Sequence, residues 1–143
     1  FNSKMGRIMA IDVGGKRTGI AVTDPLQIIA TGLTTIEAHT LIEFIKTYIK
    51  TEQVDRFVVG WPTNWDDTPT HGTPHAAKAI QLLQKNFPSI PVEKIDERYT
   101  SKMAKDALLE MGLKKKDRRD KKLVDEVAAV ILLQEYLRSV QGS

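Results

Sequence analysis

Residues 9–19, "MAIDVGGKRTG", place an aspartate, Asp12, inside what otherwise reads as a buried strand. A strand interior suits Asp poorly, because its short charged side chain loses water and packs badly there. Two interpretations are open. Either the side chain caps the turn at Gly14-Gly15, or a rigid strand presents the carboxylate to a metal ion or a phosphate. The stretch alone favours neither.

The same stretch predicts a β-hairpin at the start of the fold. Residues 7–13 and 18–23 read as two strands, and Gly14 and Gly15 are expected to supply the positive φ angles of a tight turn. A third strand is predicted over 28–36, which is rich in β-branched residues. The chain therefore begins with three antiparallel strands.

Helices and strands alternate after this point, which predicts that further strands join the same sheet in parallel. The expected fold class is α/β, with a mixed five-stranded sheet flanked by helices. The remaining predicted elements are a helix over 39–52, a strand over 56–60, a loop with three prolines over 61–74, a helix over 75–86, a strand over 92–96, and helices over 101–110 and 123–138.

Length and composition fit one globular domain, expected over residues 5–140 of the 143, with 1–4 as an added segment before a native start at Met5. The absence of cysteine excludes disulfides, thiolate zinc sites and a cysteine nucleophile. We find no apolar run of membrane-spanning length and no secretory signal. We therefore expect a cytoplasmic monomer or homodimer with no membrane partner.

Positive charge is concentrated in one segment. "KKKDRRDKK", residues 114–122, has seven basic and two acidic residues, whereas the rest of the chain has a net charge of −2. Such a segment suits a nucleic-acid backbone, and Lys114, Lys115 and Lys116 are its candidate contacts. The alternative, a solvated connection between helices, is the commoner meaning of a charge run.

Three carboxylates stand where the local pattern does not favour them. Asp12 is in the first strand, Asp96 and Glu97 end the last strand, and Asp125 begins the last helix. The periodicity of that helix does not distinguish Asp125 from Glu126, because both begin apolar stripes. Acidic side chains gathered at the carboxyl ends of strands repel one another unless a cation lies between them, and Mg²⁺ or Mn²⁺ prefers such ligands. A site of this kind supports phosphodiester cleavage.

Four motifs resemble the YqgF/RuvX-type family of small bacterial proteins, and the similarity covers nearly the whole chain after Met5. They are "DVGGKRTGIAVTDP" (12–25), "VVGWPTNWDD" (58–67), "DERYTS" (96–101) and "VDEVAAVILLQEYL" (124–137). The second departs from the family's V-G-x-P-x-N-x-D-G loop, since Asp67 replaces the usual Gly and Trp61 is bulky.

The resemblance implies an RNase H-like fold and a metal-dependent nuclease. It implies that Asp12, Glu97 and Asp125 hold Mg²⁺ or Mn²⁺, and it thereby favours Asp125 over Glu126. It further implies nucleic-acid contacts at Lys16, Arg17, Asn64 and Arg98. The implied substrate is precursor ribosomal RNA of the small subunit, with four-way DNA junctions as the alternative.

Other functions are also open. A non-catalytic RNA-binding factor in ribosome assembly would keep this fold. Sugar kinases and actin-like ATPases share the D-x-G hairpin, but they need two such domains. His71 and His75 are not expected to bind metal, because Gly72 and Pro74 separate them. Trp61 and Trp65 either stack on bases or cover the core, and covering the core is favoured.

Overall fold

The computed structural model describes residues 5–62, 68–96, 100–110 and 121–141. The five strands form one sheet in the order β3-β2-β1-β4-β5. β1 pairs antiparallel with β2, and β2 with β3, whereas β4 lies parallel to β1 and β5 parallel to β4. The predicted α/β class and mixed sheet are confirmed. The elements are β1 (Arg7–Val13), β2 (Arg17–Thr23), β3 (Ala30–Glu37), a 3₁₀ turn (Ala38–Thr40), α1 (Leu41–Tyr48), β4 (Val54–Trp61), α2 (Thr73–Asn86), β5 (Val92–Asp96), α3 (Thr100–Glu110) and α4 (Lys121–Gln141).

Side-chain alternation along the central strand β1 divides the core between the two faces of the sheet. Met9 and Ile11 lie in the cluster that contains residues of α1 and α2. Ile8 and Ala10 lie in the cluster that contains one side of α4. α3 packs on the outer side of α4, through Ala104 among others. The sheet therefore lies between a layer formed by α1 and α2 and a layer formed by α4.

A polar network joins α4 to the sheet. The Arg56 guanidinium on β4 donates hydrogen bonds to the Glu93 carboxylate on β5 and to the Tyr136 hydroxyl on α4, both at 2.9 Å. Tyr136 in turn donates to Glu93. The hydrogen bond from Tyr136, with that from Arg56, holds the pKa of Glu93 below its ordinary value, against the opposing effect of burial. Three elements are thus tied at one point.

Several predicted boundaries were wrong, each for a local reason. β3 begins at Ala30 and not at 28, because the Asp24 carboxylate accepts the N–H groups of Ile28 and Ile29 at 2.8 and 2.7 Å. That capped turn takes the place of strand pairing. α2 begins at Thr73, inside the predicted loop, with a proline in its first turn, where a missing N–H costs nothing.

The helix predicted over 39–52 is shorter, since α1 covers only Leu41–Tyr48. After α1, two backbone N–H groups donate to carbonyls three residues earlier and so form turns. The Lys50 N–H donates to the Thr47 carbonyl, and the Thr51 N–H donates to the Tyr48 carbonyl. Trp61 belongs to β4 and not to the following loop, because it pairs with Asp96 of β5.

The turn between β1 and β2 also differs from the prediction. Neither Gly14 nor Gly15 has a φ angle in the left-handed region. Gly14 is needed for a close approach instead: its N–H donates to the Arg17 carbonyl at 2.9 Å, and a Cβ on Gly14 would lie 2.7 Å from that oxygen. Among the described residues, no helix is long and apolar enough to cross a membrane.

Candidate functional site

Asp12 lies near the carboxyl end of the central strand. It is half-buried and shares the strand face of Ile8 and Ala10, so its carboxylate projects toward the α4 side of the sheet. In the antiparallel ladder it pairs with Gly19 of β2. The carboxylate therefore stands on a rigid strand, and the sheet gives it a definite face.

Gly19 allows the last helix to approach this point closely. A Cβ on Gly19 would collide with the main-chain carbonyl oxygen of Asp125 and would lie 2.6 Å from its carbonyl carbon. Only a residue without a side chain permits this contact. Since Asp12 is the strand partner of Gly19, the contact brings the segment that carries Asp125 next to Asp12. No periodicity in the sequence pointed to Gly19.

The Asp125 side chain is held by Arg17. The Arg17 Nε donates to the Asp125 Oδ2 at 2.9 Å, and the two side chains are 31% and 28% exposed. Arg17 alternates with Gly19 on β2, so it shares the α4 face. One predicted phosphate contact and one predicted metal ligand therefore form an ion pair.

Glu126 lies over a different strand. Its side chain contacts Gly32 of β3, where a Cβ would lie 2.8 Å from its carboxylate oxygen. Gly32 pairs with Ala21, not with the part of β2 beside Asp12. Both stripes of α4 are buried, with Ala129 and Leu133 in the same cluster. This explains why periodicity did not separate the two acids.

Asp96 lies on the other face of the sheet. It pairs in register with Trp61, which packs against the α1 and α2 side of the core. Trp61 therefore covers the core, which is the alternative the sequence favours, and the Lys94 ammonium lies 4.3 Å from its ring centroid. The other predicted site residues lie outside the described residues; they are Glu97, Arg98, Asn64, Lys114, Lys115 and Lys116, together with Trp65.

A basic cleft adjoins the Arg17–Asp125 pair. We name it the front cleft; it has a volume of about 600 Å³ and lies between the β1–β2 turn, the end of β3 and the start of α4. Sequence reasoning did not group its side chains, because they come from separate segments of the chain. Its charged and histidine side chains are Lys16, Arg17, Glu37, His39 and Lys122.

The donor set suits a hard divalent cation, because Asp12 and Asp125 offer carboxylate oxygens and belong to adjacent segments on one half-buried face. Within the described ranges, no group of three His, Cys, Asp or Glu side chains is arranged to hold a metal ion. His75 lies in α2 and His71 precedes it, so the two do not form a helical pair.

Three comparisons relate the chain to known proteins. The family model described as "RuvX: Holliday junction resolvase" matches residues 6–139. A Christiangramia forsetii protein named "Putative pre-16S rRNA nuclease" is 51% identical over 133 residues, which covers 93% of this chain and 98% of that protein. A protein of the same name from Porphyromonas gingivalis is 54% identical over 137 residues, covering 93% of this chain and 96% of that protein.

A solved structure has the same fold. The chain superposes on T. thermophilus RuvC, determined "in complex with Holliday junction substrate", with a TM-score of 0.56, 16% sequence identity and 96% of each chain covered. At this identity the likeness speaks for the fold alone. The predicted RNase H-like fold is confirmed.

Proposed function

The chain belongs to the RuvX family, and from this premise we propose that it is a divalent-metal-dependent nuclease that matures precursor ribosomal RNA of the small subunit. The observation that carries the proposal is the approach of α4 to β1 and β2. It gathers Asp12 and the segment of Asp125 from opposite ends of the chain onto one face of the sheet. Both are among the acids that the family resemblance indicates.

Asp12, Glu97 and Asp125 would hold Mg²⁺ or Mn²⁺. When bound, such a cation supplies Lewis-acid activation of water and neutralises charge at the reacting phosphate. The position of Asp96 on the opposite face supports its neighbour Glu97 as the third acid. The position of Glu126 over β3 supports Asp125 in the same way.

The basic residues have a separate task in this proposal. Lys16 is exposed on the turn, and Arg17 projects beside Asp125, so both bring positive charge to the edge of the site. Charges so placed bind and orient a phosphate without reading sequence. Arg98, Asn64 and the lysines Lys114, Lys115 and Lys116 are proposed to extend these contacts along the backbone.

A second candidate substrate is a four-way DNA junction, which the description of the family model favours. The names of the relatives near 50% identity favour ribosomal RNA. A non-catalytic RNA-binding factor in ribosome assembly is the candidate function that is not enzymatic. An enzyme acting on nascent ribosomal RNA works in the cytoplasm of a bacterium, and we propose that location.

The proposal is tested by a cleavage assay in Mn²⁺ on 5′-extended small-subunit RNA precursor beside a four-way junction. We expect the wild type to cut the RNA, and Asp12→Asn to abolish cleavage while it remains folded by circular dichroism. Full activity of the purified Asp12→Asn protein would refute the site. Faster cutting of the junction would transfer the proposal to DNA, and RNA binding without cleavage would support the assembly factor.

Neighbouring acids provide matched controls for the other two ligands. In calorimetric Mn²⁺ titrations, we expect Glu97→Gln and Asp125→Asn to lose binding, because each removes a ligand. Asp96→Asn and Glu126→Gln should lose much less. Equal losses within either pair would contradict the choice made for that pair.

A further inference from the structure

A second cleft lies on the opposite face of the sheet from Asp12 and Asp125. We name it the rear cleft; it has a volume of about 420 Å³ between the β1–β2 turn, α1 and α2. Thr18, which lines it, lies between Arg17 and Gly19 on β2 and so faces the other way from them. Its lining includes Gly15, Thr18, His39, Leu41, His75 and Lys78.

The side chains of the rear cleft suit a phosphate with an attached base. Its titratable side chains are His39, His75 and Lys78, and no acidic residue lines it among those the structure describes. The His75 ring lies against Gly15, where a Cβ would be 3.5 Å from its Nε2. Leu41 forms part of an apolar wall beside these groups. Basic groups next to an apolar wall match the two halves of a nucleotide.

Thr18 provides an independent indication of a ligand. Its side chain is fully buried, and its hydroxyl has no hydrogen-bond partner in the described part of the chain. A buried hydroxyl without a partner costs stability and calls for an explanation, and a bound molecule that completes its hydrogen bonding is one such explanation. A valine at this position would have the same shape without that cost, so the unpartnered hydroxyl supports a polar occupant of the cleft that Thr18 lines.

The rear cleft continues into the front cleft around the β1–β2 turn. Gly15 and His39 line both clefts, and the front cleft leads on to Arg17, the partner of Asp125. Basic side chains therefore line this route from α4, past the turn, to Lys78 on α2. One carboxylate, Glu37, interrupts it and lies 3.5 Å from the His39 Nε2. A nucleic-acid strand leaving the Asp12–Asp125 face would follow this path.

We propose that the rear cleft binds one nucleotide of the substrate strand, several units away from the reacting phosphate, with Lys78 and His75 at its phosphate and the apolar wall at its base. The proposal rests on the proposed nuclease function, since that function supplies the strand. A free mononucleotide would make the same contacts. The experiment distinguishes it from an RNA strand as the occupant of the cleft.

The test measures binding with divalent ions chelated, so it does not depend on cleavage. Labelled single-stranded RNAs of about four and about twelve nucleotides are titrated by fluorescence anisotropy at several salt concentrations. We expect Lys78→Gln to weaken binding of the longer RNA by roughly threefold to tenfold and to flatten its salt slope by about 0.7, with the shorter RNA unaffected.

Lys85→Gln is the matched control, because Lys85 is an exposed lysine about two turns further along the same helix and is not among the residues that line the rear cleft; it should change neither quantity. Thr18→Val should weaken binding of the longer RNA and raise the melting temperature of the free protein, because it removes the unpartnered hydroxyl. Equal affinities for Lys78→Gln and Lys85→Gln would overturn the proposal. Competition by adenosine monophosphate without any dependence on RNA length would overturn the strand as the occupant.

A failed nuclease proposal gives a different pattern. If Asp12→Asn retains full cleavage, the binding comparison between Lys78→Gln and Lys85→Gln is unaffected, because it is made without metal. If the wild type cleaves but the two lysine variants bind alike, only the rear cleft is refuted.

Discussion

In the proposed site, Arg17 and a divalent cation would compete for one carboxylate. The Arg17 guanidinium bonds to the Asp125 Oδ2, an oxygen that the proposed site gives to the metal. The pair is partly exposed, and such pairs contribute up to about 1 kcal/mol. Arg17 therefore holds Asp125 on the strand face. In the proposed site this would lower the metal affinity slightly, and Arg17 would become available to a phosphate once the metal bound the carboxylate.

We predict that Arg17→Gln raises the affinity for Mn²⁺ by about twofold to fivefold, which corresponds to loss of a competing ion pair. The same change should weaken RNA binding, because it removes a positive charge that faces the phosphate. Isothermal titration with Mn²⁺ and anisotropy with labelled RNA measure the two effects.

Lys16→Gln is the control, since it removes the same charge from the exposed neighbouring position. It should weaken RNA binding with a smaller change in Mn²⁺ affinity. If both variants shift the Mn²⁺ affinity equally, the effect is one of overall charge and the competition is absent.

The sequence was most informative about single residues where a residue conflicted with its surroundings. Asp12 was conspicuous because a carboxylate is unusual in an apolar strand, and the structure places it half-buried on that strand. Gly19 was missed because a glycine in a strand has many meanings. The apolar periodicity of α4 does not distinguish Asp125 from Glu126, because residues in line with each of them are buried. Only their positions, over β2 and over β3 respectively, distinguish the two acids.

At the scale of elements, the packing of α4 on the sheet depends on two glycines that face different parts of the helix. Gly19 faces the rigid main chain of Asp125, whereas Gly32 faces the flexible end of the Glu126 side chain. The main chain is fixed by the helix and cannot move alone. The side chain can rotate away.

We therefore predict that Gly19→Ala destabilises the protein by roughly 1–3 kcal/mol, as overpacking does, and lowers Mn²⁺ affinity by moving Asp125. Gly32→Ala should cost much less, since Glu126 can move aside. Denaturant unfolding of both variants measures the difference in free energy. A Gly32→Ala cost equal to that of Gly19→Ala would contradict the close contact with α4.

Element prediction worked for strands with strong patterns and failed at ends. Arg7–Val13 and Val92–Asp96 match the predicted strands because apolar content and turn residues agree there. The start of β3 was wrong because the Asp24 side chain competes for backbone N–H groups, an effect that periodicity does not register.

At the scale of the whole molecule, positive charge is unevenly distributed. The chain has a net charge of +3, and residues 114–122 contain more than all of that excess. The first two helical residues of α4, Lys121 and Lys122, belong to this segment, and Lys122 lines the front cleft. The described end of this segment therefore lies beside the proposed site.

We predict that replacing Lys114, Lys115 and Lys116 with Gln weakens binding to all nucleic acids alike. The salt slope should flatten by about one unit for each phosphate that the variant no longer neutralises. Mn²⁺ affinity should be unchanged. Binding measured against salt concentration tests this.

Lys46, Lys50 and Lys85, exposed residues outside this segment, provide a control triple variant with the same change in net charge. An equal slope for the two triple variants would mean that residues 114–116 are a solvated connection.

The order of elements along the chain predicted the sheet, because hairpins give antiparallel neighbours and helical crossovers give parallel ones. It did not predict which face each helix covers. Nothing local in α4 specifies that it crosses β2 and β1 at Gly19, since that contact depends on strand pairing and helix packing together.

The approach of α4 to β2 has a consequence for the order of synthesis. The Arg17–Asp125 bond joins residues 108 positions apart, so the ribosome completes the sheet before it makes the helix that covers one face. Until then the Ile8 and Ala10 face of the nascent sheet lacks its cover. Contacts of such long range form late in folding. In the proposed enzyme Asp125 is the last of the three acids to be made, so the unfinished chain would emerge from the ribosome's tunnel without a complete metal site.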